Sequence, residues 1–277
     1  MASAKSATTS KPGCCCNQPA NAARKETLLR EARELFQEAD RELTKAVEDL
    51  EARLTTYPKF IDPKLQAPLF QHRQRSREGY LESRMAQAAV PQEAALAYDA
   101  NSAEWKQRLE LAIARYDQIL ERWRSWVIGL VALREVGRCR QELGQRKVAI
   151  ACYLELLALD DDESILELRG TTLALAMQCW RQPDENNAAE GIKLAREWLE
   201  VPWHRRNTRV MLAIRWELAL ALEDQGRRAT KGDERSKLFG EARVEAQQVL
   251  QSLASDHRPD ALALLKRLST EESAARK

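Results

Sequence analysis

Glycine and proline are scarce in this 277-residue chain, at 10 and 9 residues, and they fall between apolar-periodic stretches rather than inside them. Such sparse punctuation, with no stretch of strict apolar/polar alternation, excludes a sandwich or barrel of many short strands and predicts helices joined by turns. Histidine is rarer still. His72, His204 and His257 stand far apart in charged surroundings and are expected to be exposed. The sequence has no His-Glu-x-x-His pair, no glycine-rich phosphate loop and no Gly-x-Ser-x-Gly elbow. The residue sets that metal-assisted hydrolysis, nucleotide binding and nucleophilic catalysis require are therefore not visible. The expectation is a non-enzyme that needs neither cofactor nor metal.

Charge of one sign is also lacking. The 44 Lys and Arg face 42 Asp and Glu, a formal net charge of +2, so the electrostatic footprint of a nucleic-acid or anionic-membrane binder is missing and any anion site has to be local. Apolar runs such as Leu218–Leu222 fall far short of the roughly 20 residues that cross a bilayer, which predicts no transmembrane segment. Residues 1–20 have a positive start but no apolar middle, so they read as a disordered leader and not as a signal peptide, and a cytoplasmic location is expected. The six cysteines do not form a disulfide framework. Cys139, Cys152 and Cys179 sit singly in helical patterns and read as small apolar core residues. The adjacent Cys14, Cys15 and Cys16 lack the spaced partners of a zinc site; an incidental role is expected, with acylation as the alternative.

What the chain does have is helical periodicity. From an N-cap at Asn21, the series Leu28, Ala32, Leu35, Ala39, Leu43, Ala46, Leu50, Leu54 advances in threes and fours, giving one apolar stripe on a long helix that should dock on its own chain. Tyr57-Pro58-Lys59-Phe60-Ile61-Asp62-Pro63 interrupts it. A second long helix is expected over 65–89, ending near Pro91, and a third over 103–122 after the capping pair Asn101-Ser102. Helices over 126–142 and 146–158 flank Gly144, a short link that makes them antiparallel. The run Asp160-Asp161-Asp162-Glu163 precedes a helix over 164–181 and suits its dipole better than a calcium loop. Helices over 187–200, 207–224, 234–254 and 259–269 follow, with Pro183, Pro202, Gly226, Gly232 and Pro259 marking breaks.

One cadence repeats: a small residue, then an aromatic or small one, then a bulky pair. It runs Ala112-Ile113…Tyr116…Ile119-Leu120 and again Ala149-Ile150…Tyr153…Leu156-Leu157. Looser copies are Gly191-Ile192…Ala195…Trp198-Leu199 and Ala242…Ala246…Val249-Leu250. A period of this length fits a helix pair per unit. Within it, Leu133, Val136, Gly137, Gly144, Ala149, Ile150 and Tyr153, closed by Asp160 and Asp161, resemble a divergent tetratricopeptide repeat (TPR) in residue type and spacing. The chain departs from that family's preferences at Leu133, Arg140 and Asp161. The resemblance implies that Gly137 and Ala149 let the paired helices approach while Tyr153 fills the joint, with Leu175-Ala176 and Leu218-Ala219 as weaker counterparts of Val136-Gly137. The Tyr-Pro-x-Phe-Ile-Asp-Pro stretch and the segment from Tyr116 to Leu159 also resemble bacterial repeat proteins, notably of planctomycetes, whose members generally begin with an export signal.

The predicted architecture is an all-α, right-handed α-solenoid of antiparallel, TPR-like helix pairs over 101–270, preceded by a helical N-terminal extension over 21–100 and ending in a frayed tail over 271–277. The function expected of such a scaffold is to hold a protein or peptide on its concave face. Arg134 and Arg138, four apart on one helix, are candidates to clamp a carboxylate, with Gln141 beside them. Of the seven tryptophans most should wedge helix layers together, while Trp180 and Trp216 are candidate anchors in the groove. The alternative is an anion or nucleic-acid binding module using Arg-rich helix faces, such as Arg205, Arg206 and Arg209. Partner identity and self-association stay open.

Overall fold

The structure, a computed structural model, describes residues 19–202, 204 and 208–275. Cys14, Cys15, Cys16, Trp203, Arg205 and Arg206 lie outside that set. The described chain is all α: α1 (Pro19–Thr55), α2 (Ala67–Ala95), α3 (Ala103–Trp123), α4 (Val127–Glu142), α5 (Arg146–Leu157), α6 (Leu166–Trp180), α7 (Ala188–Glu200), α8 (Thr208–Arg228), α9 (Gly232–Gln251) and α10 (Arg258–Ala275). Each helix packs on the next, from α1·α2 through α9·α10. The even helices also touch one another, α2 with α4, α4 with α6 and α6 with α8. In a stack of hairpins the layer whose members meet across their neighbours is the inner one, so the even helices form it.

The repeated cadence lands on the odd helices and points inward. Ala112, Tyr116 and Ile119 on α3, Ala149, Tyr153 and Leu156 on α5, Ala195 and Trp198 on α7, and Ala242, Ala246 and Val249 on α9 are all buried. Local signals set the ends. Ser102 Oγ accepts the Trp105 amide at 3.1 Å and starts α3. Asp162 Oδ1 accepts the Ser164 amide at 2.7 Å ahead of α6. Gly144, at φ +75°, turns the chain between α4 and α5, a left-handed conformation that costs a glycine little.

Helix pairs close through small residues set against rings. A Cβ on Gly137 would fall inside contact distance of the Tyr153 ring, and one on Gly226 would meet Phe239 Cε1 at 2.5 Å. Gly226 therefore lies within α8 instead of breaking it: the packing against Phe239 outweighs a helix-propensity cost of about 1 kcal/mol. Gly232 and Pro259 likewise fall in the first turns of α9 and α10, where a missing amide or side chain costs little.

Pro91 is a clearer correction. Expected to end the second helix, it sits inside α2, which runs on to Ala95. A proline at 91 cannot donate to the carbonyl of Gln87, one turn back. Arg115 of α3 takes its place, with Nη1 donating to Gln87 O at 2.7 Å. The same guanidinium grips Asp40 of α1, at 2.5 Å to Oδ1 and 3.0 Å to Oδ2. One side chain thus repairs the helix interruption and ties α1, α2 and α3 together.

The apolar stripe on α1 docks only in part. Val47 is buried and Leu43, Leu50 and Leu54 are half-buried, whereas Leu28 and Leu35 are 56% and 66% exposed. For Leu28 the reason is length, whereas Leu35 lies within the stretch α2 covers, on a face turned away from it. α2 is 29 residues against 37 for α1, and its C-terminal end reaches α1 at Arg33, whose Nε donates to Ala97 O at 2.9 Å. The helix backbone also begins at Pro19, so Asn21 lies inside it.

Gly137→Ala lowers stability by about 2 kcal/mol in chemical denaturation, as overpacking against a fixed ring does; Gly240→Ala, with nothing within 4 Å of its added methyl, gains up to about 1 kcal/mol from helix propensity. Arg115→Met costs about 2 kcal/mol by stranding Asp40 and Gln87 O. Pro91→Ala gains about 1 kcal/mol more in that background than in the unaltered chain, because the restored amide then caps Gln87 O.

Candidate functional site

The inner layer carries a polar ladder that crosses from helix to helix. On α4 the buried carboxylate of Glu135 sits between two guanidinium groups, Arg134 Nη2 at 2.6 Å and Arg138 Nη1 at 2.8 Å. Arg134 Nη1 also reaches Thr171 Oγ1 of α6 at 3.2 Å. One turn further along α4, Gln141 Oε1 accepts from the Tyr153 hydroxyl at 2.9 Å while its Nε2 donates to Gln178 Oε1 at 3.3 Å. Gln178 Nε2 in turn donates to Glu217 Oε1 of α8 at 3.0 Å. Arg181 of α6 bridges Glu217 Oε2 at 2.8 Å and Asp224 Oδ2 at 2.9 Å. Beyond these, Glu223 of α8 accepts from Arg227 at 2.8 Å and from Arg267 of α10 at 3.1 Å. The rungs join residues 37, 39 and 44 apart, which sets the register between successive units on this layer.

Three acids anchor the ladder: Glu135, Glu217 and Glu223 are each buried yet each is held by arginine. Truncating a partner would leave a buried carboxylate uncompensated, which costs far more than an exposed pair contributes. Burial pushes the Glu217 carboxyl above the ordinary glutamate range, with Arg181 and Gln178 pulling it back down. Burial likewise raises Glu142, at the end of α4.

Between α2 and α4 the same face opens into a groove of about 340 Å³, with Met85, Ala89 and Val131 as its floor and Arg134, Glu135 and Arg138 along one rim. Tyr116 lines it and donates to Gln92 Oε1 at 3.2 Å.

The structure brings Arg134, Arg138 and Gln141 together on α4, but not as a vacant clamp. Glu135 already occupies the space between the two guanidinium groups. Trp180 and Trp216, expected as groove anchors, are 3% and 7% exposed and belong to the core. Trp180 packs beside Gly191 of α7, and Trp216 stacks on His257 with ring centroids 5.3 Å apart. His204 is the other correction, since it is buried and stacked on Trp198 at 4.1 Å. Burial holds its imidazole below the usual histidine range. Glu135, Glu217 and Glu223 are not distinguishable in the sequence, because a buried, paired glutamate has the same local signature as a solvated one. The clue was the Gln141 and Gln178 pair, 37 apart, beside Arg181.

Among the described residues no group of three or more His, Cys, Asp or Glu is placed to hold a metal ion, and no helix is long and apolar enough to cross a membrane. Of the Arg-rich set 205–209, Arg209 is described and lies 3.9 Å from Asp256.

No protein-family model matches this chain, and no curated protein matches it, so the planctomycete-type resemblance gains no support. Among solved structures the chain is similar to the crystal structure of nearly identical TPR-like repeats described as Podosopora anserina kinesin light chain. The identity is 18% and the TM-score 0.40, covering 82% of this chain and 99% of that one. A variant of the same protein gives 18% identity and a TM-score of 0.41, covering 82% and 98%.

A carboxyl whose folded value is raised costs stability above its ordinary value, and that cost disappears as pH falls and the group is protonated. Unfolding of the chain and of Glu217→Gln, measured from pH 7 to pH 4, therefore shows the unaltered chain gaining on the variant as pH falls. A constant difference would mean that Arg181 fully offsets the burial.

Proposed function

We propose that this chain is a non-catalytic scaffold that binds a protein or peptide segment along the even-helix face, read here as the concave side of the array. The observation that carries this reading is the groove between α2 and α4: an apolar floor beside a charged, hydrogen-bonded rim, supported on both sides by helices rather than loops. Recognition sites of this composition take apolar side chains on the floor and fix orientation at the rim. Rigid helices also lower the ordering cost of association, since little of the platform has to be immobilised.

In this reading Arg134, Arg138 and Gln141 act as the rim. A partner carboxylate reaches the guanidinium groups by competing with Glu135, and Arg138, whose side chain is 41% exposed, is the one able to turn outward. Specificity then depends on the difference between the internal pair and the external one, which keeps weakly complementary acids out. The reading as an anion or nucleic-acid module finds no row of free arginines on the inner face, where Arg134, Arg138, Arg181 and Arg267 are each paired with an acid of this chain.

Ala86 lines the groove and is half-buried, so Ala86→Arg fills the groove without opening the core. With the full-length chain immobilised and partners recovered from its native cell, a partner held by the unaltered chain is retained at less than one-tenth by Ala86→Arg, while the melting temperature stays within a few degrees. Equal retention would remove the groove from the binding site.

A further inference from the structure

At the N-terminal end of the array α1, α2 and α3 enclose a second cleft of about 240 Å³, which shares no residue with the even-helix groove. Its apolar lining is Phe36, Val90, Pro91, Ala94 and the ring of Tyr98. Three arginines converge on it: Arg33, Arg41 and Arg108. Two of them bracket one aromatic ring, with the guanidinium carbon of Arg33 at 4.8 Å and that of Arg108 at 5.9 Å from the Tyr98 centroid.

The charge in this cleft is unbalanced. Its one carboxylate, Asp40, is held in a two-point grip by Arg115, and Arg33 is shared between Ala97 O and the exposed Glu26. Neither Arg41 nor Arg108 has a carboxylate partner among the described residues. On the inner face, by contrast, Arg134, Arg138, Arg181 and Arg267 are each paired with an acid. The floor is also unusual. Pro91 is a helix-interior proline, a costly residue, and it lines the cleft while Arg115 repairs the carbonyl it leaves open.

We propose that this cleft binds an acidic-apolar peptide segment of a partner protein, with a glutamate or aspartate carboxylate between Arg41 and Arg108 and the adjacent aliphatic or aromatic side chain on Phe36, Pro91 and Tyr98. Guanidinium donors match a carboxylate in two-point geometry, and an arginine already stacked on a ring loses little freedom when it binds. A carboxylate is the anion proposed because its two oxygens match two guanidinium donors, and a phosphate is the competing outcome in the test. The chain's own leader cannot serve, since residues 1–18 carry Lys5 and Lys11 and no acid. This inference is independent of the groove proposed above.

The test uses the full chain on an array of immobilised eight-residue peptides with a central glutamate flanked by leucine, phenylalanine or tryptophan. Matched spots carry glutamine, phosphoserine, or glutamate flanked only by glycine. Capture at the glutamate spots with apolar neighbours exceeds that at all three controls at least tenfold. It falls at least tenfold for Arg41→Ala with Arg108→Ala, which removes no ion pair among the described residues and leaves the melting temperature within a few degrees. Ala86→Arg leaves this capture intact. Glutamine spots equal to glutamate spots, phosphoserine spots that exceed them, or undiminished capture by the double variant would each overturn the proposal.

Discussion

The close approach of paired helices through a small residue against a ring is the constraint on which the rest of this structure depends. Gly137 lies against Tyr153, Gly226 against Phe239, Gly170 against Trp198, and Gly191 against Met177 and the ring of Trp180. At each of these points a methyl group would collide or crowd, so the helix axes sit as near as backbone and ring allow. Interiors packed to crystal-like density respond to such changes as a unit. Because every hairpin sits against the next, a displacement at one joint passes to its neighbours, as expected of an array whose stability is a sum of units and interfaces.

That spacing puts the even helices close enough for side chains to bridge from one to another. The ladder from Arg134 and Gln141 through Gln178, Arg181 and Glu217 to Glu223 and Arg267 follows from it, and it fixes the register of the inner layer where apolar contact alone would tolerate sliding. The charges are internal to the fold. The most basic-looking stretch of the inner face is therefore electrostatically quiet, while Arg41 and Arg108, beside Tyr98 at the N-terminal end, are among the cations without an acid partner. Arg115 anchors this end: its grip on Asp40 and on the Gln87 carbonyl one turn before Pro91 seats the long first helix on the array.

Much of the architecture is legible from the chain alone, because it depends on period. The cadence of Ala112, Tyr116, Ala149 and Tyr153 marks the odd helices, and Ser102 and Gly144 mark their ends. What local pattern does not contain is tertiary repair. Pro91 and Gly226 read as breaks, and only a distant arginine or ring makes them helical. The site is less legible for a related reason. Arg134 and Arg138 look like a free clamp until the burial of Glu135 is known, and Trp180 and Trp216 look like anchors until the layer they fill is seen. Exposure is set by what packs on a helix, and a helix's own sequence does not record it. The same holds for the first half of α1, where Leu28 continues the apolar stripe past the end of the helix that would cover it.

The contact between Gly137 and Tyr153 can be isolated by a double-mutant cycle, since the two residues touch and share no ion pair. Unfolding free energies of the unaltered chain, Gly137→Ala, Tyr153→Leu and the double variant give the coupling directly. If the ring against the bare backbone sets the helix spacing, the smaller leucine makes room for the methyl and the double variant is more stable than the sum of the single changes by about 1 kcal/mol or more. Strict additivity would show that the spacing is set elsewhere and would contradict the packing on which this fold is built.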